Sequence, residues 1–254
     1  MLRRVLKYIR DNDLLKPQDK VLVALSGGAD SVALLDVLLR GGYGCVAAHC
    51  NFHLRGEESY RDERFASELC KQKGIRLVRT DFETQNEAKS IGKSIELTAR
   101  KLRYQWFDTV ARENGCTAIA VGHHQNDQAE TVIMNLRRGA GIRGLCGMRP
   151  KNNNPYCPES EIPIIRPLLC TTHDYIQHYL KDIRHIDWVE DSTNTDTTYK
   201  RNAVRAELKT YTKAEIEHIA ATARIMQGYL DYIMHTDSPQ AKEAIEYETL
   251  RNNR

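Results

Sequence analysis

The first half of the chain alternates short apolar runs with amphipathic segments. Four apolar runs predict strands buried on both faces of a sheet, at residues 21–25, 45–50, 75–81 and 117–121. Helical spacing of apolar residues predicts helices at residues 2–9, 31–40, 57–73 and 94–114. Gly41 and Gly74 follow two of these helices, where a C-terminal cap favours glycine. Strands that alternate with helices in this way predict an α/β fold: a doubly wound, mostly parallel sheet with helices on both faces.

The pattern changes after the fourth strand. Asn126 is suited to cap a helix, and residues 137–141 end that helix in a basic, glycine-containing turn. The remaining predicted segments are a loop at 151–160, a strand at 164–169, a helix at 172–183, an irregular stretch at 188–205 and a long amphipathic helix at 214–234. We therefore predict one domain at 1–211, followed by a helical linker or the start of a second, truncated domain at 212–254.

Composition narrows the class of protein. Hydrophobic residues make up 41% of the chain, enough to build a core, so disorder is not expected. The longest apolar run, 21–25, is far shorter than the about 20 residues of a membrane span. Lys7 and Arg10 interrupt the apolar stretch that an export signal needs. The seven cysteines show no C-x-x-C pair, so we expect reduced thiols in a cytoplasmic protein without a membrane partner. The formal net charge of +3 argues against a broadly basic RNA coat.

The turn after the first strand carries the first chemical motif, which reads Ser26-Gly27-Gly28-Ala29-Asp30-Ser31. Beyond the carboxyl end of a parallel strand, glycines and the N–H groups of the next helix can bind a phosphate. The alternative is a tight turn in which Asp30 or Ser31 caps the helix. The motif is neither a Walker loop nor the G-x-G-x-x-G of dinucleotide-binding folds.

This motif resembles the PP-loop, S-G-G-x-D-S, of the N-type ATP pyrophosphatases. The resemblance implies a PP-loop, adenine nucleotide alpha hydrolase-like fold in which the loop binds the β,γ-pyrophosphate of ATP and leaves the α-phosphate open to attack. It also implies that Asp30 helps to hold Mg²⁺ together with the pyrophosphate, in keeping with the oxygen ligands that Mg²⁺ prefers.

Further motifs occur in the order and spacing of one PP-loop family. They lie at residues 49–59, 99–104, 122–145 and 190–205. Together with the loop they resemble the catalytic domain of the tRNA(Ile)-lysidine synthetases over about residues 20 to 205. The resemblance implies an ATP-dependent carbon-nitrogen ligase. ATP activates the C2 oxygen of the wobble cytidine of tRNA(Ile) with a CAU anticodon, and free L-lysine then displaces AMP from the adenylated cytidine to form lysidine.

Four residues are catalytic candidates. Arg100 is the first candidate for a cation that offsets charge on the α-phosphate, and Arg103, one helical turn later, is the second. Both could instead be solvated helix charges. His123 and Asp127 are expected to contact the adenylated substrate or to position the base, with a proton-transfer role left open. The alternatives for this pair are simple helix capping or a metal site with His124 and Glu130.

Binding candidates complete the set. The resemblance places His49 and Asn51 beside the adenosine of ATP, with a surface loop as the alternative. A local excess of basic residues between Thr131 and Arg166 suits a tRNA backbone. The tRNA-contact candidates are Arg137, Arg138, Arg143, Arg201 and Arg205. Basic residues at helix ends can also simply complement the helix dipole, and Arg201 and Arg205 could pair with Glu190, Asp191 or Asp196.

Other functions were weighed against this hypothesis. A PP-loop tRNA 2-thiolase would need paired or persulfide-forming cysteines, and a small-molecule amidating enzyme would not need the basic segment. A non-catalytic nucleotide- or RNA-binding module would not need Asp30, Arg100, His123 and Asp127 together. Family members usually continue into further tRNA-binding domains, whereas this sequence stops at Arg254, so we expect a trimmed chain or a short form. A monomer and a homodimer are both compatible with the sequence.

Overall fold

The structure is a computed structural model of the chain and describes residues 1–54, 56–92, 94–190, 200–235 and 243. Internal contacts divide the chain into two compact units. Unit one comprises residues 1–123 and 150–191, and unit two comprises residues 124–149 and 192–254. Each unit is therefore built from two separate stretches of the chain. The boundary expected near residue 211 stays a prediction.

Helices and strands alternate through the first half of the chain. The strands are β1 (Lys20–Ala24), β2 (Gly44–Asn51), β3 (Arg76–Asp81), β4 (Ala118–Ala120), β5 (Lys151–Asn152) and β6 (Ile164–Ile165). The helices are α1 (Leu2–Asp11), α2 (Ala29–Arg40), α3 (Glu57–Lys73), α4 (Thr84–Ile91), α5 (Ile95–Glu113), α6 (Gln125–Arg137), α7 (Ile142–Leu145), α8 (His173–His178), α9 (Lys200–Leu208) and α10 (Lys213–His235). A 3₁₀ turn (Pro167–Cys170) precedes α8, and a π-helical turn (Tyr179–Arg184) follows it.

Unit one is an α/β sheet in the strand order β3-β2-β1-β4-β6-β5. The first five of these strands are parallel to one another, and only β5 is antiparallel to its neighbour β6. The predicted doubly wound, mostly parallel sheet is confirmed. Because β1 is flanked by β2 and β4, the carboxyl ends of these strands lie side by side at one edge.

Helices cover both faces of this sheet because the strand residues alternate in direction. Val21 and Val23 of β1 join a core that includes residues of α1, α2 and α8. Leu22, between them, joins a second core with Tyr104 and Phe107 of α5. Within the described residues, no helix combines the length and the apolar character that a membrane span requires.

Several predicted elements are corrected. Gly28, not Asp30 or Ser31, is the N-cap of α2, because the Ser31 hydroxyl turns back to the preceding loop. The N-cap of α6 is His124 rather than Asn126. The predicted strand at 164–169 is confined to β6, since a 3₁₀ turn begins at Pro167.

The loops also contain more structure than their sequences indicated. The segment predicted as a loop at 151–160 begins with β5, helix α4 was not predicted, and the expected irregular stretch contains the start of α9. Residues 191–199 of that stretch lie outside the described residues.

The described part of unit two consists mainly of helices. Ala129 of α6 packs with Val204 and Leu208 of α9 and with Ile216 of α10. Gln227 of α10 is buried and donates its amide N–H groups to the carbonyl oxygens of Cys146 (2.6 Å) and Met148 (2.9 Å). The long predicted amphipathic helix is therefore confirmed and forms part of the same unit as α6.

Candidate active site

The glycine loop between β1 and α2 is held in shape by its own hydroxyl groups. Ser31 Oγ accepts hydrogen bonds from the backbone N–H groups of Ser26 (3.2 Å) and Gly27 (3.2 Å) and donates to Gly28 O (3.0 Å). The loop's own side chain and backbone therefore hold it in this conformation. Its outer edge is the first turn of α2, whose backbone N–H groups and positive dipole end favour an anion.

Two glycines allow the chain to pack this closely. Gly27 has φ +97°, and a Cβ there would lie 2.8 Å from Val189 Cγ2. A Cβ on Gly122, just after β4, would lie 3.2 Å from Ser31 N and 3.1 Å from the carbonyl carbon of Asp30. The end of β4 is thus pressed against the start of α2, and only glycine fits at either position without movement.

Asp30 lies in the first turn of α2 with its side chain 32% exposed. Its Oδ1 is 3.0 Å from His173 Nδ1 of α8. A carboxylate that is held from one side and open to solvent on the other fits the mainly hydrated, oxygen-ligated Mg²⁺ ion. The residues present therefore fit the predicted role of Asp30.

His49 and Asn51 are both buried, so the surface-loop alternative is wrong for this pair. His49 Nδ1 donates to Leu25 O at 2.8 Å, which leaves the Nε2 lone pair as an acceptor. Burial, the largest effect, lowers the pKa of His49 below its usual value of 6.5. The ring is therefore a neutral hydrogen-bonding group at the end of β2.

Asn51 organises the loop that follows β2. Its Nδ2 donates to Glu63 Oε2 at 3.0 Å, and its Oδ1 accepts from His53 N at 3.0 Å. The hydrogen bond from Asn51 is the largest cause of the lowered pKa of Glu63. Glu63 also accepts a hydrogen bond from Arg79 at 2.6 Å. The side-chain amide is thus committed to the protein itself, and these contacts favour a supporting role for Asn51.

The two candidate arginines of α5 contact different aromatic rings. The Arg100 guanidinium carbon lies 5.1 Å from the centroid of Tyr104, and that of Arg103 lies 4.9 Å from the centroid of Phe52. Phe52 in turn stacks on Phe82 at 5.3 Å. Both guanidinium groups are partly buried and are positioned by cation–π contacts, so neither is a freely solvated helix charge.

Arg166 is a site residue that the sequence analysis missed. The sequence indicates only one charge of the basic segment at this position, yet Arg166 is 5% exposed. Its Nε donates to His123 Nδ1 at 3.3 Å, just beyond β4. Burial, the largest effect, lowers the pKa of Arg166; Tyr104 opposes this shift and Arg100 adds to it. Only the pairing of β4 with β6 brings Arg166 and His123 together, so periodicity could not reveal it.

In unit two, Asp127 helps to cap α6, and its partner in the cap is His124, not His123. His124 Nδ1 accepts from Asn126 N at 3.2 Å, and Asp127 Oδ2 accepts from His124 N at 3.0 Å. Glu130 Oε1 accepts from Arg205 Nε at 2.8 Å, and Arg205 lies 3.9 Å from Asp127 Oδ1. These side chains therefore take part in helix capping and ion pairing, and the metal alternative stays a prediction.

The basic segment is not one surface. Arg166 is buried, Arg137 pairs with Glu207, and Arg149 forms a two-pronged pair with Asp231 at 2.7 and 3.0 Å. Arg138 and Arg143 are exposed. Arg205 pairs with Glu130, a partner other than those expected from the sequence. The side chain of Arg201 lies outside the described residues.

These features place a preformed glycine loop and a partly exposed aspartate at the edge where parallel strands end. A family model described as a PP-loop domain matches residues 1–212. The chain belongs to the PP-loop domain family.

This PP-loop chain is similar to tRNA(Ile)-lysidine synthases. It is 53% identical over 206 residues to that of Bacteroides thetaiotaomicron, covering 81% of the chain and 46% of the relative. It is 49% identical over 206 residues to that of Porphyromonas gingivalis W83 (81% and 43%) and 42% identical over 212 residues to that of Chlorobaculum tepidum (80% and 60%). The chain therefore spans about half the length of the curated relatives it matches.

Two solved structures share the fold of the PP-loop chain. The U34-tRNA thiolase NcsA from Methanococcus maripaludis superposes with a TM-score of 0.67 at 19% identity, covering 94% of this chain and 81% of the thiolase. The NMN synthetase from Francisella tularensis superposes with a TM-score of 0.53 at 14% identity, covering 88% of this chain and 91% of the synthetase. At these identities the likeness supports the fold alone.

Proposed function

We propose that this PP-loop chain is the catalytic part of a tRNA(Ile)-lysidine synthetase, an ATP-dependent ligase acting on the wobble cytidine of tRNA(Ile) with a CAU anticodon. The observation that carries this proposal is the preformed Ser26–Ser31 loop with a partly exposed Asp30 at its outer edge, in a chain 53% identical to a curated lysidine synthase over 206 residues. ATP, free L-lysine and tRNA meet in the cytoplasm, where we place the activity.

The loop and the neighbouring strand end would bind ATP. The N–H groups of the first turn of α2 would hold the β,γ-pyrophosphate, which leaves the α-phosphate facing the site. Bound Mg²⁺, held by Asp30 and the phosphates, would neutralise charge on the departing pyrophosphate. His49 would offer its Nε2 lone pair to a donor such as the adenine amino group, since its Nδ1 proton is committed to Leu25.

In the first half-reaction, the C2 oxygen of cytidine would attack the α-phosphorus of ATP. A phosphorus–oxygen bond forms as the bond to pyrophosphate breaks, and negative charge grows on the α-phosphate oxygens. Arg100 would offset that charge, with Arg103 as the second cation, because both are fixed by aromatic rings before the reaction.

In the second half-reaction, the neutral amine of lysine would attack C2. The carbon–nitrogen bond forms as the carbon–oxygen bond breaks, and AMP leaves with the bonding electrons. His123 and Asp127 would position the cytosine ring and the activated oxygen. Exposed Arg138 and Arg143 would contact tRNA phosphates, whereas Arg137 and Arg205 would also have to exchange their ion pairs for RNA. Arg201 is retained as a tRNA-contact candidate on its motif alone.

The thiolase alternative is disfavoured by the state of the cysteines. Burial raises the pKa of Cys45 and of Cys50 to about 12, and that of Cys70 to about 11. A thiol must ionise to act as a nucleophile or as a metal ligand, so these three would be inert at neutral pH. Sulfur transfer is therefore not what their environment supports.

The proposal is tested by incubating the protein with ATP, Mg²⁺, radiolabelled lysine and tRNA(Ile) carrying a CAU anticodon. We expect label in the tRNA, and no label in a transcript whose wobble cytidine is replaced by uridine. Equal labelling of both transcripts, or AMP release that does not depend on lysine, would contradict the substrate assignment.

A second experiment tests Asp30. The isosteric substitution Asp30→Asn should abolish pyrophosphate release while circular dichroism stays unchanged, because only the charge that holds Mg²⁺ is removed. Asp174→Asn, an acidic residue in the first turn of α8, is the matched control and should retain release. Normal pyrophosphate release by Asp30→Asn would show that the loop is only a turn.

A further inference from the structure

Arg166 reaches His123 because their strands are neighbours. Strand β4 pairs in parallel with β6, with Ala120 opposite Ile165. Arg166 is the first residue after β6, and His123 is the third after β4. Both side chains therefore leave the sheet at its carboxyl edge, where Arg166 Nε donates to His123 Nδ1 at 3.3 Å.

Several contacts fix the guanidinium in this position. The backbone N–H of Arg166 donates to Pro150 O at 2.8 Å, and its side-chain Nη1 donates to Asn152 Oδ1. Asn152 is itself fixed opposite Ile164 in the short antiparallel ladder between β5 and β6. The residue is 5% exposed, so its orientation does not depend on solvent. The hairpin at 151–165 thus serves to hold one buried cation against His123.

The hydrogen bond determines which ring nitrogen of His123 carries the proton. A guanidinium group can only donate, so the nitrogen facing it must present a lone pair. Nδ1 is then the acceptor, and the ring proton of the neutral imidazole resides on Nε2. Nδ1 therefore accepts from Arg166, and the other ring nitrogen, Nε2, has the character of a donor.

We propose that Arg166 is a positioning residue that holds His123 as the neutral Nε2–H tautomer, so that His123 acts as a hydrogen-bond donor to the reacting nucleotide. In its catalytic consequence this inference rests on the proposed function. It decides between the two roles left open for His123: with its proton already on Nε2, the ring orients or polarises an oxygen of the substrate and does not remove the proton from lysine.

The direct test is NMR of the protein labelled with ¹⁵N at histidine, without ATP or tRNA. Two-bond couplings between ring nitrogens and carbon-bound protons distinguish the two tautomers, and the His123 signals are assigned by their loss in His123→Gln. We expect the Nε2–H form in the wild type. A wild-type ring protonated on Nδ1 overturns the proposal, whatever the enzyme does.

Variants then test the cause. Arg166→Met should shift His123 toward a mixture of tautomers, and Arg166→Gln, which keeps an N–H donor, should restore the Nε2–H form in part. Arg76→Met, at the exposed start of β3, is the control and should leave the ring unchanged. An unchanged tautomer in Arg166→Met overturns the proposal. Should Arg166→Met fail to fold, the tautomer of His123 is measured in Arg166→Lys instead. This variant keeps the buried charge but lacks the Nε–H group that donates to His123.

Kinetics separate this inference from the proposed function. If lysine is incorporated, Arg166→Met should lower kcat on the order of 10- to 100-fold with little change in KM for ATP, as expected for a misplaced catalytic group. An equal loss in kcat and in ATP affinity would indicate a general structural role and overturn the positioning role. If the wild type incorporates no lysine, the proposed function fails, while the tautomer measurement still decides the inference.

Discussion

The geometry of the glycine loop predicts that alanine substitutions at its two adjacent glycines affect stability very differently. Gly27 has φ +97°, and a Cβ there would lie 2.8 Å from Val189 Cγ2. Gly28 has φ −71°, and its Cβ would meet nothing closer than 3.6 Å. Gly27→Ala therefore incurs a backbone penalty of about 1–3 kcal/mol and an overlap penalty of about 1–3 kcal/mol. Gly28→Ala incurs neither and should change stability by less than about 1 kcal/mol.

Urea unfolding, monitored by tryptophan fluorescence, measures the difference in unfolding free energy between the two variants in the unit that contains the loop. Trp106 and Trp188 both lie in unit one, and Trp188 precedes Val189. We expect Gly27→Ala to lower the free energy of unfolding by about 2–6 kcal/mol in total. In the double variant Gly27→Ala/Val189→Ala, the Cβ no longer overlaps Val189. After the effect of Val189→Ala alone is subtracted, the double variant should regain the free energy lost to the overlap but not that lost to the backbone conformation.

The same pair of variants shows what would refute the reasoning. Equal unfolding free energies for Gly27→Ala and Gly28→Ala would mean that the loop is not held in the conformation described. Full restoration by Val189→Ala would mean that the positive φ carries no penalty. Either result would also contradict a loop whose conformation is held by its own hydrogen bonds.

Three further predictions follow from the packing and the charges. Tyr179→Phe removes a buried hydroxyl that donates to Asp36 at 2.6 Å and should cost about 1–3 kcal/mol in urea unfolding, whereas Tyr229→Phe on an exposed face should cost less than about 0.5 kcal/mol. Burial lowers the pKa of His49 below 6.5, so as the pH falls the unfolded state binds a proton before the folded state does. The contribution of His49 to the free energy of unfolding should therefore be fully present above pH 6.5 and decrease as the pH falls below it. His49→Gln should reduce this dependence of stability on pH. Arg138→Ala should reduce the salt dependence of tRNA binding by about one ion without altering stability, and a helix-unfolding effect in circular dichroism would instead assign Arg138 a structural role.

The network around Asp36 illustrates how far sequence reasoning reaches. Asp36 lies in the middle of the apolar helix α2, and nothing in the local pattern indicates why a carboxylate is 3% exposed there. Burial would raise its pKa, but hydrogen bonds from Arg184 and Tyr179 outweigh this effect and lower it. Both partners follow Asp36 by more than 140 positions, at separations of 143 and 148 residues. Periodicity reports only neighbours within one element, so such partners stay hidden.

The candidate site shows the same limit. Periodicity predicted the four main strands and the parallel sheet, and the glycine loop was found at the end of β1. The contact between Arg166 and His123, which lie 43 residues apart, was not predictable because it depends on the pairing of β6 with β4. The basic segment was misjudged for a related reason, because a charge count includes neither burial nor ion pairing: Arg166 is buried, and Arg149 is paired with Asp231.

The sequence by itself therefore determined the class of fold, the glycine loop after β1 and the family, because each depends on short-range patterns of apolar residues, glycines and a few polar side chains. Tertiary structure alone decided which polar groups meet. In the folded chain, the Ser31 hydroxyl accepts a hydrogen bond from the backbone of the glycine loop. Asn51 donates to Glu63, and Arg166 donates to His123. Buried polar groups need partners, and in a parallel sheet those partners come from strands that are adjacent in space and distant along the chain.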